Sequence, residues 1–138
     1  MKNLITILSI FFICFFEASP LAAQQSVPPS QWPVSQAFDL GTGRTIAYHG
    51  TFVVTDAEVR WQQRNKAVDY VFTVTGSSGT WPDLTADGRA ALNVLFRGRP
   101  GTITFSRSGG VAQIRISINA ASGEIFPFQF IADAIQKS

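Results

Sequence analysis

The sequence predicts an all-β domain, a small antiparallel β-sandwich of about seven strands with a small β-barrel as the alternative. Three observations carry this. Residues 92–118 alternate apolar and polar around Gly109-Gly110, as a half-buried sheet folded at a two-residue hairpin loop does. Val68, Tyr70, Phe72 and Val74 alternate with Asp69, Thr73 and Thr75 between them. Turn signals recur at short spacing, and no stretch shows the periodicity of an amphipathic helix.

The letters set the register of the meander. Pairing Ser108 with Val111 places Phe105 opposite Ile114 and Ile103 opposite Ile116 on one face. The other face pairs Ser106 with Gln113, Thr104 with Arg115 and Thr102 with Ser117. Leu92, Val94 and Phe96 extend the apolar face. The turn after them is placed at Gly98-Arg99-Pro100-Gly101, and a two-residue or a four-residue loop there keeps the same parity.

The remaining elements read as follows. Residues 24–36 hold Pro28, Pro29 and Pro33 and suggest an extended leader, with Trp32 available to dock on the domain. Phe38 to Leu40 and Thr45 to Tyr48 are extended segments around Gly41-Thr42-Gly43. From Val53 to Trp61 the odd positions alternate with polar ones and read as a single strand. A Ser/Gly/Asp-rich loop spans 76–88, with Trp81-Pro82 at its middle. The last strand carries Phe126, Phe128 and Phe130 on one face, and Pro127 marks it as an edge strand or a bulge. Residues 131–138 read as a helical turn or a frayed tail.

At the N-terminus, basic Met1-Lys2-Asn3 precedes an uncharged, mostly apolar run from Leu4 to Phe16 and a short segment ending in Ala22-Ala23. This is the pattern of a secretory signal peptide. The run would span about 20 Å as a helix, short of a bilayer core of roughly 30 Å. The expected organisation is a signal peptide over 1–23, a Pro-rich leader over 24–36 and a single β domain over 37–138. The product would be exported, periplasmic or extracellular. The one cysteine, Cys14, lies in the signal segment. The mature chain therefore has no disulfide, thiolate metal site or cysteine nucleophile, which suits a bacterial envelope protein.

Motifs for catalysis are scarce. His49 is the only histidine, too few for the usual zinc site, and no Gly-x-Ser-x-Gly elbow accompanies it. Residues 83–88 mimic the first half of an EF-type calcium loop, but the twelfth position is the core-facing Val94. Asp83 and Asp87-Gly88 read instead as turn residues. Gly41-Thr42-Gly43 lacks the lysine of a phosphate loop. No cofactor or metal is expected.

Charge distribution says more. The mature chain has ten Lys/Arg and eight Asp/Glu. No acid occurs between Asp87 and Glu124, whereas Arg89, Arg97, Arg99, Arg107 and Arg115 all do. Parity puts Arg97 and Arg115 on the polar face, Arg99 in the first turn and Arg107 beside the second. Arginine suits bidentate contact with carboxylate, sulfate or phosphate. The leading expectation is thus a non-enzymatic binding domain for an anionic surface: lipopolysaccharide, an acidic glycan or an acidic protein. The plainer reading is a solvated sheet face neutralised by acids such as Asp56, Glu58 and Asp69. Nucleic acid is not expected, since no RNA-binding motif is present. A second expectation is an interaction or inhibitor module using Trp81 in its loop, against Trp81 folding back over one end of the domain. A third is a small hydrolase, which would need a cleft holding His49 or a pair of acids.

Overall fold

The computed structural model describes residues 27–64, 69–121 and 123–138. The signal-peptide segment and Val68 lie outside them. Of the two architectures expected, the chain adopts the barrel. Seven strands run antiparallel in chain order: β1 (Ser30–Asp39), β2 (Arg44–Val54), β3 (Glu58–Gln63), β4 (Tyr70–Ser78), β5 (Gly88–Phe96), β6 (Arg99–Ser108) and β7 (Val111–Ala120). The two-residue β8 (Gly123–Glu124) pairs with the end of β7. Next, β9 (Phe128–Ala132) pairs with both β7 and β1 and closes the ring, so eight strands form the wall. Finally β10 (Gln136–Lys137) pairs with the start of β1.

Alternation places the core. Trp32, Phe52, Phe72, Leu92, Ile103, Phe105, Ile114, Ile116 and Phe130 all point inward and are fully buried. Cross-strand partners among them include Trp32 with Phe52, Leu92 with Ile103, Phe105 with Ile114, and Ile114 with Phe130. Each fully buried aromatic or aliphatic side chain of this kind contributes about 2 kcal/mol. At eight strands a barrel is just wide enough for such side chains to fill it.

The β6–β7 register is the one the letters predict, from Ser108 with Val111 to Thr102 with Ser117. Gly109 and Gly110 both take positive φ, as a two-residue hairpin turn needs. The β5–β6 turn differs from expectation. It sits at Arg97-Gly98, with Phe96 opposite Arg99, and both turn residues have positive φ. Parity is kept, so Leu92, Val94 and Phe96 still face inward.

Three elements depart from the sequence reading. From Ser30 onward the expected leader is a wall strand, β1, with Trp32 and Val34 inside. Pro33 has no N–H to donate to the wall, and its carbonyl accepts from the Asp133 amide at 2.7 Å. A register shift between Val34 and Gln36 then turns Ala37 inward, so the alternation is broken in the letters. The single strand expected from Val53 to Trp61 is two strands. A turn at Thr55-Asp56-Ala57 flips parity between inward Phe52 and Val54 and inward Val59 and Trp61. Thr55 closes that turn, its amide donating to the Glu58 carbonyl at 2.9 Å and its hydroxyl accepting from the Glu58 amide at 3.2 Å. Finally, the strand behind Pro127 is the closing strand rather than an edge, because Pro127 lies just before its first residue. Of the expected tail, Ile131 and Ala132 belong to β9, and Gln136 and Lys137 form β10.

The two ends of the barrel differ. One end carries the β2–β3, β4–β5 and β6–β7 turns and is shut by Val27, Trp32, Trp81 and Leu84, all buried. Trp32 and Trp81 meet edge to face at 5.8 Å, and the Trp32 indole donates to Ser30 Oγ at 2.9 Å. Ser30 Oγ in turn donates to the Pro28 carbonyl at 2.8 Å, so this buried polar pair is satisfied. The other end, with the β1–β2 and β5–β6 turns, is open among the described residues.

Candidate functional site: an aromatic cup at the open end

A cavity of about 330 Å³ lies at the open end. Trp61, Phe126, Phe130 and Ala37 form its buried inner surface. Tyr48, Tyr70, Ile125, Phe128 and Gln63 are half-exposed around it, and Ile46 is exposed at the rim. Among the described residues, no ionisable side chain other than the two tyrosines lines it. Pockets of this composition, apolar with a few placed polar groups, occur at the mouths of β-barrels.

Apart from Ile125 and Phe126, the lining residues lie in wall strands. Trp61 is paired with Phe52 on one side and Tyr70 on the other. Trp61 stacks on Phe52 at 5.4 Å and meets Phe126 and Phe130 edge-on at 5.3 and 5.0 Å. Such a ring cluster is worth more than its buried area, by about 0.5–1.5 kcal/mol per pair.

Phe126 belongs to a strap, residues 123–127, that crosses the mouth between β7 and β9. Its ring packs on Tyr70 and Phe96, both at 5.4 Å. The strap is fastened from outside. Arg115 Nη2 donates to both Glu124 carboxylate oxygens, at 2.7 and 2.8 Å, and Nη1 donates to the Ile116 carbonyl. A weaker bond at 3.4 Å runs from Nη1 to the Phe126 carbonyl. The Ile125 amide donates to the Ile118 carbonyl at 3.0 Å.

Two polar groups in the cup are joined. The Trp61 indole N–H donates to the Tyr48 hydroxyl oxygen. Burial pushes the Tyr48 phenol up to about 12, against the opposing pull of that bond, so it stays protonated. Gly50 makes room for this pair: a Cβ there would lie 2.9 Å from the Tyr48 ring and hydroxyl and 2.9 Å from the Gln62 carbonyl.

The structure scatters the arginines. Arg97 is a turn residue at the open end, not part of the polar face, and its guanidinium sits 4.9 Å from the Phe96 ring and 5.8 Å from Tyr70. Arg99, expected in the turn, is the exposed first residue of β6. Arg107 lies toward the shut end, donating to the Thr85 carbonyl and 3.7 Å from Asp87. Arg115 is spent on the strap. Arg89 and Arg115 line one outer-wall concavity of about 300 Å³ with Thr104, Ser106, Gln113 and Gln129. The acids that neutralise the run are Asp87 and Glu124, which bound it; Glu58 and Asp69 pair with Arg60 instead.

Trp81 is only 3% exposed, so it is a plug of the shut end rather than a contact on a loop surface. Its indole donates to the Ala86 carbonyl at 3.1 Å. The calcium-like segment is consumed by turns. Asp83 Oδ1 accepts from the Thr85 amide at 3.0 Å and its hydroxyl at 2.5 Å, bonds that hold its carboxyl below the usual range. Asp87 accepts from the Gly109 amide at 2.9 Å, capping the β6–β7 turn. Among the described residues no group of three or more His, Cys, Asp or Glu is placed to hold a metal.

His49 does lie in a groove of about 440 Å³ on the outer wall, with Asp133 and Arg64. The nearby Ser35 hydroxyl donates straight to Asp133 Oδ1 at 2.5 Å. A catalytic triad needs the imidazole between serine and acid. Here the acid holds the serine itself, so the three groups are not in the serine–imidazole–acid order of a triad.

Sequence reading missed the cup. Tyr48, Trp61 and Tyr70 are each legible as strand residues, but their convergence depends on which strands neighbour each other and on the 55–57 turn. Comparison with known proteins finds no matching family model, no similar curated protein and no similar solved structure. The class of protein is therefore defined by the fold and the cup alone: a closed, all-antiparallel eight-strand barrel with one plugged end and one aromatic mouth.

Proposed function

We propose that this chain is an exported, non-enzymatic binding protein that holds a small, largely apolar molecule in the cup at its open end. The observation that carries the reading is the contrast between the ends. The shut end is filled with Trp32, Trp81 and Leu84, whereas the open end keeps about 330 Å³ lined by aromatic rings. That space equals about eleven waters at roughly 30 Å³ each, room for a one- or two-ring molecule. Export rests on the signal-like residues 1–23. Most outward positions of β5 to β7, including Arg89, Asn93, Thr102, Thr104, Ser106, Gln113 and Ser117, are polar, with Ala91, Leu95 and Val111 among the apolar ones, unlike the continuous apolar band of a lipid-facing barrel wall. The test is equilibrium dialysis against two-ring hydrocarbons with wild type and Trp61→Ala. Saturable binding lost in the variant supports the reading, and no saturable binding to the wild type ends it.

A second reading keeps the anionic partner, a lipopolysaccharide head group, acidic glycan or acidic protein. It is favoured by the 300 Å³ outer-wall concavity, where Arg89 is exposed among hydrogen-bonding side chains. Binding to anionic vesicles that weakens steeply with salt and is lost in Arg89→Ala would support it. Salt-independent binding, or none, would remove it.

A further inference from the structure

Among the described residues that line the cup, Tyr48 carries a polar group whose position a hydrogen bond fixes, and none of them carries a charge at neutral pH. The Tyr48 hydroxyl oxygen accepts from the Trp61 indole, which fixes the phenol's position and leaves its own O–H to donate. Among the described residues no acceptor takes that hydrogen. The phenol is half-buried and lines the cavity, with aromatic and aliphatic neighbours on most sides. A ligand oxygen placed there would accept from the phenol in a partly desolvated site, where such a bond adds about 1 kcal/mol net, about fivefold in affinity. Among the described residues no Lys, Arg, His, Asp or Glu lines the cup, so a ligand charge buried there would be desolvated without an opposite charge on that lining to offset it.

We infer that the cup selects an uncharged aromatic or aliphatic molecule carrying a carbonyl-type oxygen, and that Tyr48 is the residue that recognises that oxygen. This rests on the cup being the binding site, and deepens that reading by naming the ligand class. Tyr48 is thus the specificity-determining residue, while Trp61 is a positioning residue that aims it. Gly50 is required because any larger residue would push the Tyr48 ring aside.

Three matched probes test this: 2-acetylnaphthalene, 2-ethylnaphthalene and naphthalene-2-carboxylate, by equilibrium dialysis against the purified protein as the cell processes it. They share one ring system and differ in the acceptor and the charge. The expected result is that the ketone binds about fivefold more tightly than the hydrocarbon, one net hydrogen bond's worth, and more tightly than the carboxylate. In Tyr48→Phe, which keeps the ring, the ketone and the hydrocarbon should bind alike. Equal binding of ketone and hydrocarbon to the wild type overturns the inference and leaves the cup as an unselective apolar site. Tightest binding of the carboxylate overturns it in favour of an acid. A ketone preference that survives in Tyr48→Phe moves recognition to Gln63 or Tyr70 and overturns the assignment to Tyr48. If none of the three binds, the cup is not the binding site and both readings fall. The wild-type comparison stands whether or not the variant folds.

Discussion

Arg115 and Glu124 form a bidentate ion pair, at 2.7 and 2.8 Å, between the outer wall and the strap that carries Phe126 across the barrel mouth. Both side chains are a little under a third exposed. The pair therefore links a residue on the polar face to the inner surface of the cup. An arginine that looked free in the sequence is thereby a structural fastener.

Breaking that fastener should loosen the mouth. Arg115→Ala leaves Glu124 half-buried without its partner and is expected to cost about 1–2 kcal/mol, a value reduced from the fully buried case by the residual exposure. Urea denaturation of both single variants and the double variant would measure the coupling. Additive effects would show that the pair does not hold the strap.

Gly50→Ala should be more damaging than its size suggests. The added Cβ would meet the Gln62 carbonyl and the Tyr48 ring at 2.9 Å, and backbone on one side cannot give way. Overpacking of this kind costs about 1–3 kcal/mol. The variant should melt earlier and lose the preference for an oxygen-bearing probe. A stability within experimental error of wild type would contradict the packing described around Tyr48.

Trp81→Ala should act on stability and not on a binding surface. It removes a buried indole from contact with Trp32 and opens the shut end, for an expected loss of about 3–5 kcal/mol. Thermal unfolding by circular dichroism would read it. A stable variant with a selectively lost partner would restore the view of Trp81 as an interaction residue.

Tyr48 should make stability fall at alkaline pH. Its folded pKa, about 12, lies above the ordinary 10.0, so the folded state holds the proton more tightly than the unfolded chain. The contribution is complete below pH 10, and it is lost as pH rises from about 10 through 12. Unfolding free energies across that window should drop less in Tyr48→Phe than in wild type. Parallel profiles for the two would place the Tyr48 phenol in solvent rather than in the cup.

Legibility followed locality. The β6–β7 hairpin could be read to the residue pair because Gly109-Gly110 and the flanking alternation are contiguous in sequence. Strand β1 was hidden because three prolines suggested a leader and because the Val34–Gln36 register shift breaks its period. The Thr55–Ala57 turn was hidden because Thr55 and Ala57 happen to continue an alternating pattern. The arginines looked like one patch because they are close in sequence. Alternate strand directions send Arg97 and Arg99 to the open end and Arg107 toward the shut one.

By itself the sequence determined the all-β class, the inward faces of β4 to β7 and one hairpin register, since these depend on period-two alternation and turn chemistry between near neighbours. Only the tertiary structure decided that the sheet closes. Closure requires β9 to pair with β1 across most of the chain, and no local pattern encodes which distant edge a strand will meet. That same closure brings Ala37, Tyr48, Trp61, Phe126 and Phe130 around one cavity, and so the site, unlike the hairpin, exists only in the assembled barrel.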